Sequence, residues 1–278
     1  MTTSSRGRAM LAHILMNGAK QMVLVIDIGN TNIVIGGYIN DSLELVARIN
    51  TEKSKTEDEY IVLLRDIIVS KGHTLDEIEG AIVSSVVPQT TYILKNALDM
   101  AFNIDTIIVS MQINTGITLK YASPNEVGAD FICGLVGAAS KYELPCLIID
   151  FGTATKTSVI NENKEFIGAA IMPGIGISLD ALATKTAQLP NISLNAPPDS
   201  IMGNNTIDCM KAGVIYGNAC MVDGIIQKHK EELGDTLTVI ATGGLSKHII
   251  KHCKEEIIYD RDLLLDGLNC LYKKNTNR

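Results

Sequence analysis

The sequence predicts an α/β protein built from two duplicated half-domains. Three observations carry this reading. Short apolar, β-branched runs alternate with stretches of helical periodicity, the pattern of sheets layered with helices. Many of the 23 glycines cluster just after the apolar runs, where α/β nucleotide folds make tight turns. The segment VIDIGNTNIVIGGYIND near the amino end is echoed by IIDFGTATKTSVINEN in the middle of the chain. In both, apolar residues lead into an Asp, then a Gly turn, small polar residues and a second strand; duplication of a half-molecule explains this better than chance.

Taken in order, strands are expected at MVLVIDIG, NIVIGGYI, LELVARI, GAIVSSVVP, TIIVS, CLIIDFG, TKTSVIN, EFIGAAIMPG and LTVIATGG, each of strand length and bounded by Gly, Pro, Asn or Asp. Between them, residues 56–72 open with a capping box, Thr56 and Glu59, and carry apolar positions at Tyr60, Leu64, Ile67 and Ile68. Further helices are expected at about 89–102, 127–142, 176–186, 206–232, 246–255 and 262–272. The halves divide into residues 22–125 and 126–278. Residues 1–21, MTTSSRGRAMLAHILMNGAKQ, do not match the rest and read as a disordered amino-terminal extension before a natural beginning at Met22. Their apolar piece MLAHIL is too short to span a bilayer, and no membrane span is expected elsewhere.

Composition narrows the function. Thirty-one acidic residues against 24 basic ones give a net charge of −7, and no stripe of Lys and Arg forms, which argues against a nucleic-acid partner. Aromatic residues make up only 4% with no Trp, which argues against base-stacking surfaces. The six cysteines contain no CxxC pair and mostly lie in apolar segments, so they read as core residues of a reducing, cytoplasmic compartment. His248, His252 and Cys253 in SKHIIKHCKEE lack a further ligand pair and read as an ordinary helix surface rather than a metal site.

The two turns carry chemistry. A Gly after the strand-closing Asp permits close backbone approach, and successive turn amides can point at phosphate oxygens. The carboxylate cannot bind phosphate itself; it holds a cation that does, directly or through water. Two such turns facing across a cleft would clamp a polyphosphate between two ribonuclease H-like half-domains, the organisation of the acetate/sugar kinase–Hsp70–actin superfamily.

From Met22 onward the chain resembles the type III pantothenate kinases. The matching segments are DIGNTN at 27–32, YASPNEVGAD at 121–130, DFGTAT at 150–155, IMPG at 171–174, TAQLP at 186–190, GNNT at 203–206, GVIYG at 213–217, ATGG at 241–244 and LLLDGL at 263–268. Their common order and spacing make the set far more specific than any one of them. The resemblance implies the duplicated kinase fold, a cytoplasmic homodimer, and transfer of the ATP γ-phosphoryl group to pantothenate, the first step towards coenzyme A. It implies an ATP-binding stretch of Asp27, Ile28, Gly29, Asn30, Thr31, Asn32, Ile33 and Val34, with Asp27 meeting Mg²⁺ through water. Thr153 would touch ATP, and Gly243 and Gly244 would let the backbone pass close to adenosine. Asp150 would hold a monovalent cation, K⁺ or NH₄⁺. Tyr121, Gly128, Ala129, Asp130, Phe131 and Thr206 would line the pantothenate pocket, Thr206 from across the dimer interface.

Asp130 stands in GADFICGLVGAAS, a lone carboxylate among Gly, Ala and apolar residues. On spacing alone it reads as a helix-start residue that offsets the helix dipole. With the resemblance it becomes the general base that accepts the substrate hydroxyl's proton, with Gly128 and Ala129 leaving room for the hydroxyl to approach.

The pattern breaks at two positions. Where the family reads Gly-x-Asp-Arg, this chain has Phe131, which offers none of the donors of an Arg fork. A lost charge-assisted hydrogen bond is worth about 1.5–3 kcal/mol. The family's DFGTATT becomes DFGTATK, with Lys156 as the gained charge. Two readings of Lys156 stand: it partly replaces the missing cation near the substrate, or it is a surface-facing strand lysine, since strand parity beyond a tight turn is open. Two alternatives to pantothenate phosphorylation also stand. One is a kinase of the same fold acting on a related small hydroxy acceptor, and the other is a non-catalytic nucleotide-binding regulator.

Overall fold

The computed structural model describes residues 21–120, 123, 126–194, 198 and 200–276. Residues 1–20 of the expected extension and the expected pocket residue Tyr121 lie outside the described residues. The chain forms two compact units, one ending at Val109 and the other beginning at Ser110.

The first unit begins with an antiparallel meander: β1 (Met22–Ile28), β2 (Asn32–Ile39) and β3 (Ser42–Asn50). Asn40 and Asp41, with φ of 47° and 68°, turn β2 into β3 in two residues; Asn and Asp tolerate the left-handed conformation such hairpins need. The helix α1 (Glu57–Ser70) starts at the expected capping box: the Thr56 N–H donates to Glu59 Oε2 at 2.8 Å and the Glu59 N–H to Thr56 Oγ1 at 3.4 Å. A single turn of 3₁₀ helix (Leu75–Glu77) leads into β4 (Ile78–Ser85), which pairs parallel with β1. Then α2 (Pro88–Phe102), with Pro at its first position and left-handed Asn103 at its end, is followed by the short β5 (Ile107–Ile108). The sheet order is β3-β2-β1-β4-β5, so β1 is central; it is an unbroken apolar run up to Asp27, whereas edge strand β3 has several exposed residues. Leu24, Ile26, Ile28, Ile33 and Ile35 of this sheet pack with Tyr60, Leu64 and Ile68 of α1 and Leu94 and Leu98 of α2 in one core.

The second unit repeats this topology. The strands β7 (Cys146–Phe151), β8 (Ala154–Ile160) and β9 (Glu165–Pro173) form an antiparallel meander, and β10 (Thr238–Thr242) pairs parallel with β7 as β4 does with β1. The β11 strand (Ile258–Tyr259) takes the place of β5, and β6 (Thr118–Leu119) adds to the far edge, giving β11-β10-β7-β8-β9-β6. The duplication read from two matching turns is thus a duplication of sheet topology. The sequence places residues 110–125 in the first half, whereas in the structure β6 pairs with β9 of the second sheet and the second unit begins at Ser110.

The helices of this unit are α3 (Ala129–Lys141), α4 (Ile175–Lys185), α5 (Thr206–Leu233), α6 (Ser246–Ile250) and α7 (Leu263–Thr276). Expected as one helix over 246–255, α6 stops at Ile250. Beyond it, Cys253 packs its thiol near the Ala219 carbonyl of α5 and His252 stands edge-on to Tyr216, so these two are not on a helix surface. All six cysteines are free; Cys133 and Cys146 are buried as expected, but Cys209 and Cys220 are exposed on α5.

Glycines let α3 and α7 cross in direct backbone contact. A Cβ on Gly267 would fall 1.9 Å from the Cys133 carbonyl oxygen, and one on Gly137 2.3 Å from that of Leu263. The start of α3, which carries Asp130, is positioned through this crossing. Gly267→Ala is therefore expected to destabilise the protein by about 1–3 kcal/mol despite the better helix propensity of Ala, as read by urea denaturation.

Asp99 on α2 accepts from Lys95 Nζ at 2.5 Å and from the Thr106 N–H at 2.8 Å. Burial pushes its carboxyl up, but these bonds outweigh burial and hold the pKa below the ordinary aspartate value. Its contribution is present above the unfolded value, about 3.9, and is lost as pH falls through the lower folded value. Asp99→Asn should cost about 1.5–3 kcal/mol at neutral pH. The gap from the parent should narrow in urea titrations carried below about pH 4.

Candidate functional site

The first turn follows Asp27, the last residue but one of β1. The parallel register sets Asp27 opposite Ser84 of β4, and Ser84 Oγ donates to Asp27 Oδ1 at 2.9 Å. The Gly29 N–H donates to the Asn32 carbonyl at 2.9 Å and closes the turn. From the end of β3, Thr51 grips it, its Oγ1 donating to the Gly29 carbonyl at 2.7 Å and its N–H to that of Thr31 at 3.0 Å. Asn30 and Thr31 are exposed, Asn32 and Val34 half-buried, while Ile28 and Ile33 point into the core. Those two can meet a ligand only through their backbone. Sequence reasoning missed Ser84 and Thr51. A hydroxyl ending the apolar run AIVSS was the available signal for Ser84; nothing local marks Thr51.

In the second turn Gly152 and Thr153, both exposed, join β7 to β8. Its backbone is crowded by two other motifs. A Cβ on Gly174, after β9, would fall 2.0 Å from the Thr153 carbonyl oxygen, and one on Gly243, after β10, 2.6 Å from that of Phe151. With φ of +93°, Gly243 also occupies a conformation that side chains rarely adopt. Thus the packing of β7 by itself requires glycine at 243, whereas Gly244 is exposed.

At the start of α3, Asp130 makes two kinds of contact. Its Oδ1 accepts the Phe131 N–H at 2.9 Å, the helix-start role, and its Oδ2 accepts from Lys156 Nζ. Lys156 also reaches Asp150 Oδ2 at 3.0 Å. The three side chains are only 15–18% exposed. The sheet register explains the second contact, since Lys156 is the direct cross-strand partner of Asp150 in the β7–β8 pair. Lys156 therefore faces inward and is not a surface lysine. Burial by itself would lower the Lys156 pKa, but the charges of Asp150 and then Asp130 outweigh it and hold the ammonium above the ordinary lysine value. Burial pushes the Asp150 carboxyl up, against the opposing pull of Lys156. The two carboxylates thus favour the ammonium form of Lys156.

Of the expected pocket residues, Gly128 caps α3, and a Cβ there would fall 2.5 Å from Asp130 Oδ1, so its small size makes room for the carboxylate itself. Ala129 and Phe131 are half-buried. The Phe131 ring stacks on Phe166 with centroids 6.1 Å apart and has Lys156 Nζ 5.2 Å above it. Thr206 is exposed at the first turn of α5, beside an open groove of about 550 Å³ that Asn205, Cys209 and Leu189 also line.

Twin meanders flanked by a parallel strand, each ending an Asp-bearing strand in a Gly turn, are the architecture of the sugar-kinase and actin-like proteins. Solved structures agree on the fold. A Campylobacter jejuni protein described as a Baf family transcriptional activator superimposes with a TM-score of 0.59 at 18% identity, over 92% of this chain and 100% of that one. A Sinorhizobium meliloti protein described as a 2-dehydro-3-deoxygalactonokinase gives 0.56 at 11% identity, over 90% and 96%. The chain belongs to the type III pantothenate kinase family, whose model matches residues 23–228. Proteins named type III pantothenate kinase from a Geobacillus and an Exiguobacterium species are 43% and 42% identical to it, over 92% and 91% of this chain and 99% of each relative.

Because Gly174 lies against the Thr153 backbone, Gly174→Ala should displace the second turn. The expected result is a kcat/KM for ATP at least about tenfold lower, about 1.4 kcal/mol in transition-state binding, measured by coupled ADP release.

Proposed function

We propose that this chain phosphorylates pantothenate with ATP, with Asp130 as the general base. In the step, the pantothenate hydroxyl oxygen bonds to the γ-phosphorus as the bond from that phosphorus to the bridging oxygen of ADP breaks. The hydroxyl proton passes to Asp130. Phosphoryl transfer asks little of the base, because the hydroxyl becomes acidic only as the new bond forms. The observation that carries the reading is a carboxylate on an ordered helix start, within a family match over most of the chain. A carboxylate offers about four lone-pair sites, so the contacts to Phe131 and Lys156 leave capacity for a substrate hydroxyl.

For the nucleotide, the turn at Asp27–Val34 supplies backbone amides and Asn and Thr side chains to phosphate oxygens, and Thr153 with Gly243 and Gly244 serves the second turn. Asp27 fits Mg²⁺ met through water. This ion keeps most of its waters and takes phosphate oxygens besides one or two carboxylates. When bound, Mg²⁺ neutralises charge on the transferring phosphate. The family resemblance further supports a cytoplasmic homodimer in which Thr206 reaches the pantothenate of the other subunit; exposed Ile201, Met202 and Ile207 beside it supply apolar surface for such a contact. Among the described residues no helix is long and apolar enough to cross a membrane.

Phe131 favours a second reading, in which the acceptor is a related but less anionic hydroxy compound. Its ring is committed to Phe166 and donates nothing to a carboxylate. Asp130→Asn should lower kcat for pantothenate by about 10²–10⁴ while ATP still binds. An undiminished rate removes Asp130 from the mechanism. Running the assay over hydroxy acids and amides tells the two acceptors apart, the second reading requiring kcat/KM to be higher for an uncharged amide.

A further inference from the structure

We propose that the Lys156 side chain is a tethered substitute for a free monovalent cation, so that this kinase works without added K⁺ or NH₄⁺. The inference rests on the phosphotransferase reading for its catalytic meaning and on geometry for its content. The Lys156 ammonium lies against Asp130 Oδ2 and 3.0 Å from Asp150 Oδ2, and so joins the carboxylate expected to hold the cation to the carboxylate expected to act as base. An alkylammonium is NH₄⁺ with one hydrogen replaced by carbon, so it brings the same charge and N–H donors to these oxygens.

A free cation does not fit beside the residues present. Asp150 faces Lys156 across the β7–β8 pair, so the contact is built into the sheet register. A second cation on Asp150 would share its carboxylate with an ammonium of like charge and be repelled by it. The Phe131 ring, 5.2 Å from Lys156 Nζ, covers another side of the ammonium with π-electron density. Both departures from the family motif thereby belong to one arrangement: Lys156 brings the charge and Phe131 gives it an aromatic wall where an Arg would repel it. In this arrangement Lys156 is a positioning residue that acts through Asp130 and Asp150.

Two measurements test this, one of them independent of turnover. Thallous ion, a probe for K⁺ sites, is titrated into the parent and into Lys156→Ala and followed by thallium NMR. The parent should show no saturable binding and the variant should bind Tl⁺ in competition with K⁺. In parallel, ADP release with pantothenate is measured in tetramethylammonium buffer with and without KCl, NH₄Cl or methylammonium chloride. The parent rate should not respond. Lys156→Ala should be at least about tenfold slower and recover saturably with each added cation, while Lys156→Arg, which keeps the charge, should stay unresponsive. Saturable Tl⁺ binding to the parent, or a parent rate that climbs with KCl, overturns the proposal. So does a folded Lys156→Ala variant, checked by circular dichroism, that neither binds Tl⁺ nor recovers. If the parent phosphorylates no acceptor in any buffer, the functional reading falls, and the thallium titration still decides whether Lys156 occupies the cation position.

Discussion

Carboxylates drawn out of water need a positive charge close by, and that constraint organises the second unit. Asp150 comes from the end of β7 and Asp130 from the start of α3, and both are mostly covered. The Lys156 ammonium answers both of them. Because the surroundings are partly dry, the three charges are coupled more strongly than they would be on a surface. The same lysine therefore ties the β7–β8 pair to the start of α3.

Holding the carboxylates at a fixed separation demands close backbone packing, and glycine supplies it. Gly137 and Gly267 bring α3 and α7 together, which sets where the helix start carrying Asp130 lies against the sheet. Gly174 and Gly243 pack on the Thr153 and Phe151 backbone and set the turn after Asp150. The motifs IMPG and ATGG thus have a structural explanation: they support the second turn from β9 and β10. In the first unit, hydrogen bonds from Thr51 and Ser84 do the corresponding work on the first turn and its Asp.

Much of this was legible in sequence because it is local. The β1–β2 and β7–β8 hairpins, the capping box of α1 and the amphipathic run of α2 each follow from a few adjacent residues. Features with no period of their own were not legible. The strands β6 and β11 have two residues each and exist only because a longer strand lies beside them. His252 and Cys253 extended the apparent periodicity of α6 past its end, since their burial against α5 has the same spacing as a helix face.

The sequence by itself determined the two Asp–Gly hairpins, the alternation of strands and helices and the family, because backbone preference and side-chain alternation act over a handful of neighbours. Only the tertiary structure decided what Lys156 touches. The face a strand residue takes depends on how many residues the preceding turn uses, and a shift of one would have sent this ammonium to the opposite side of the sheet. The partnership of Asp130 with Lys156 likewise depends on a helix and a strand separated in sequence, which meet only when the sheet and the glycine crossing are in place.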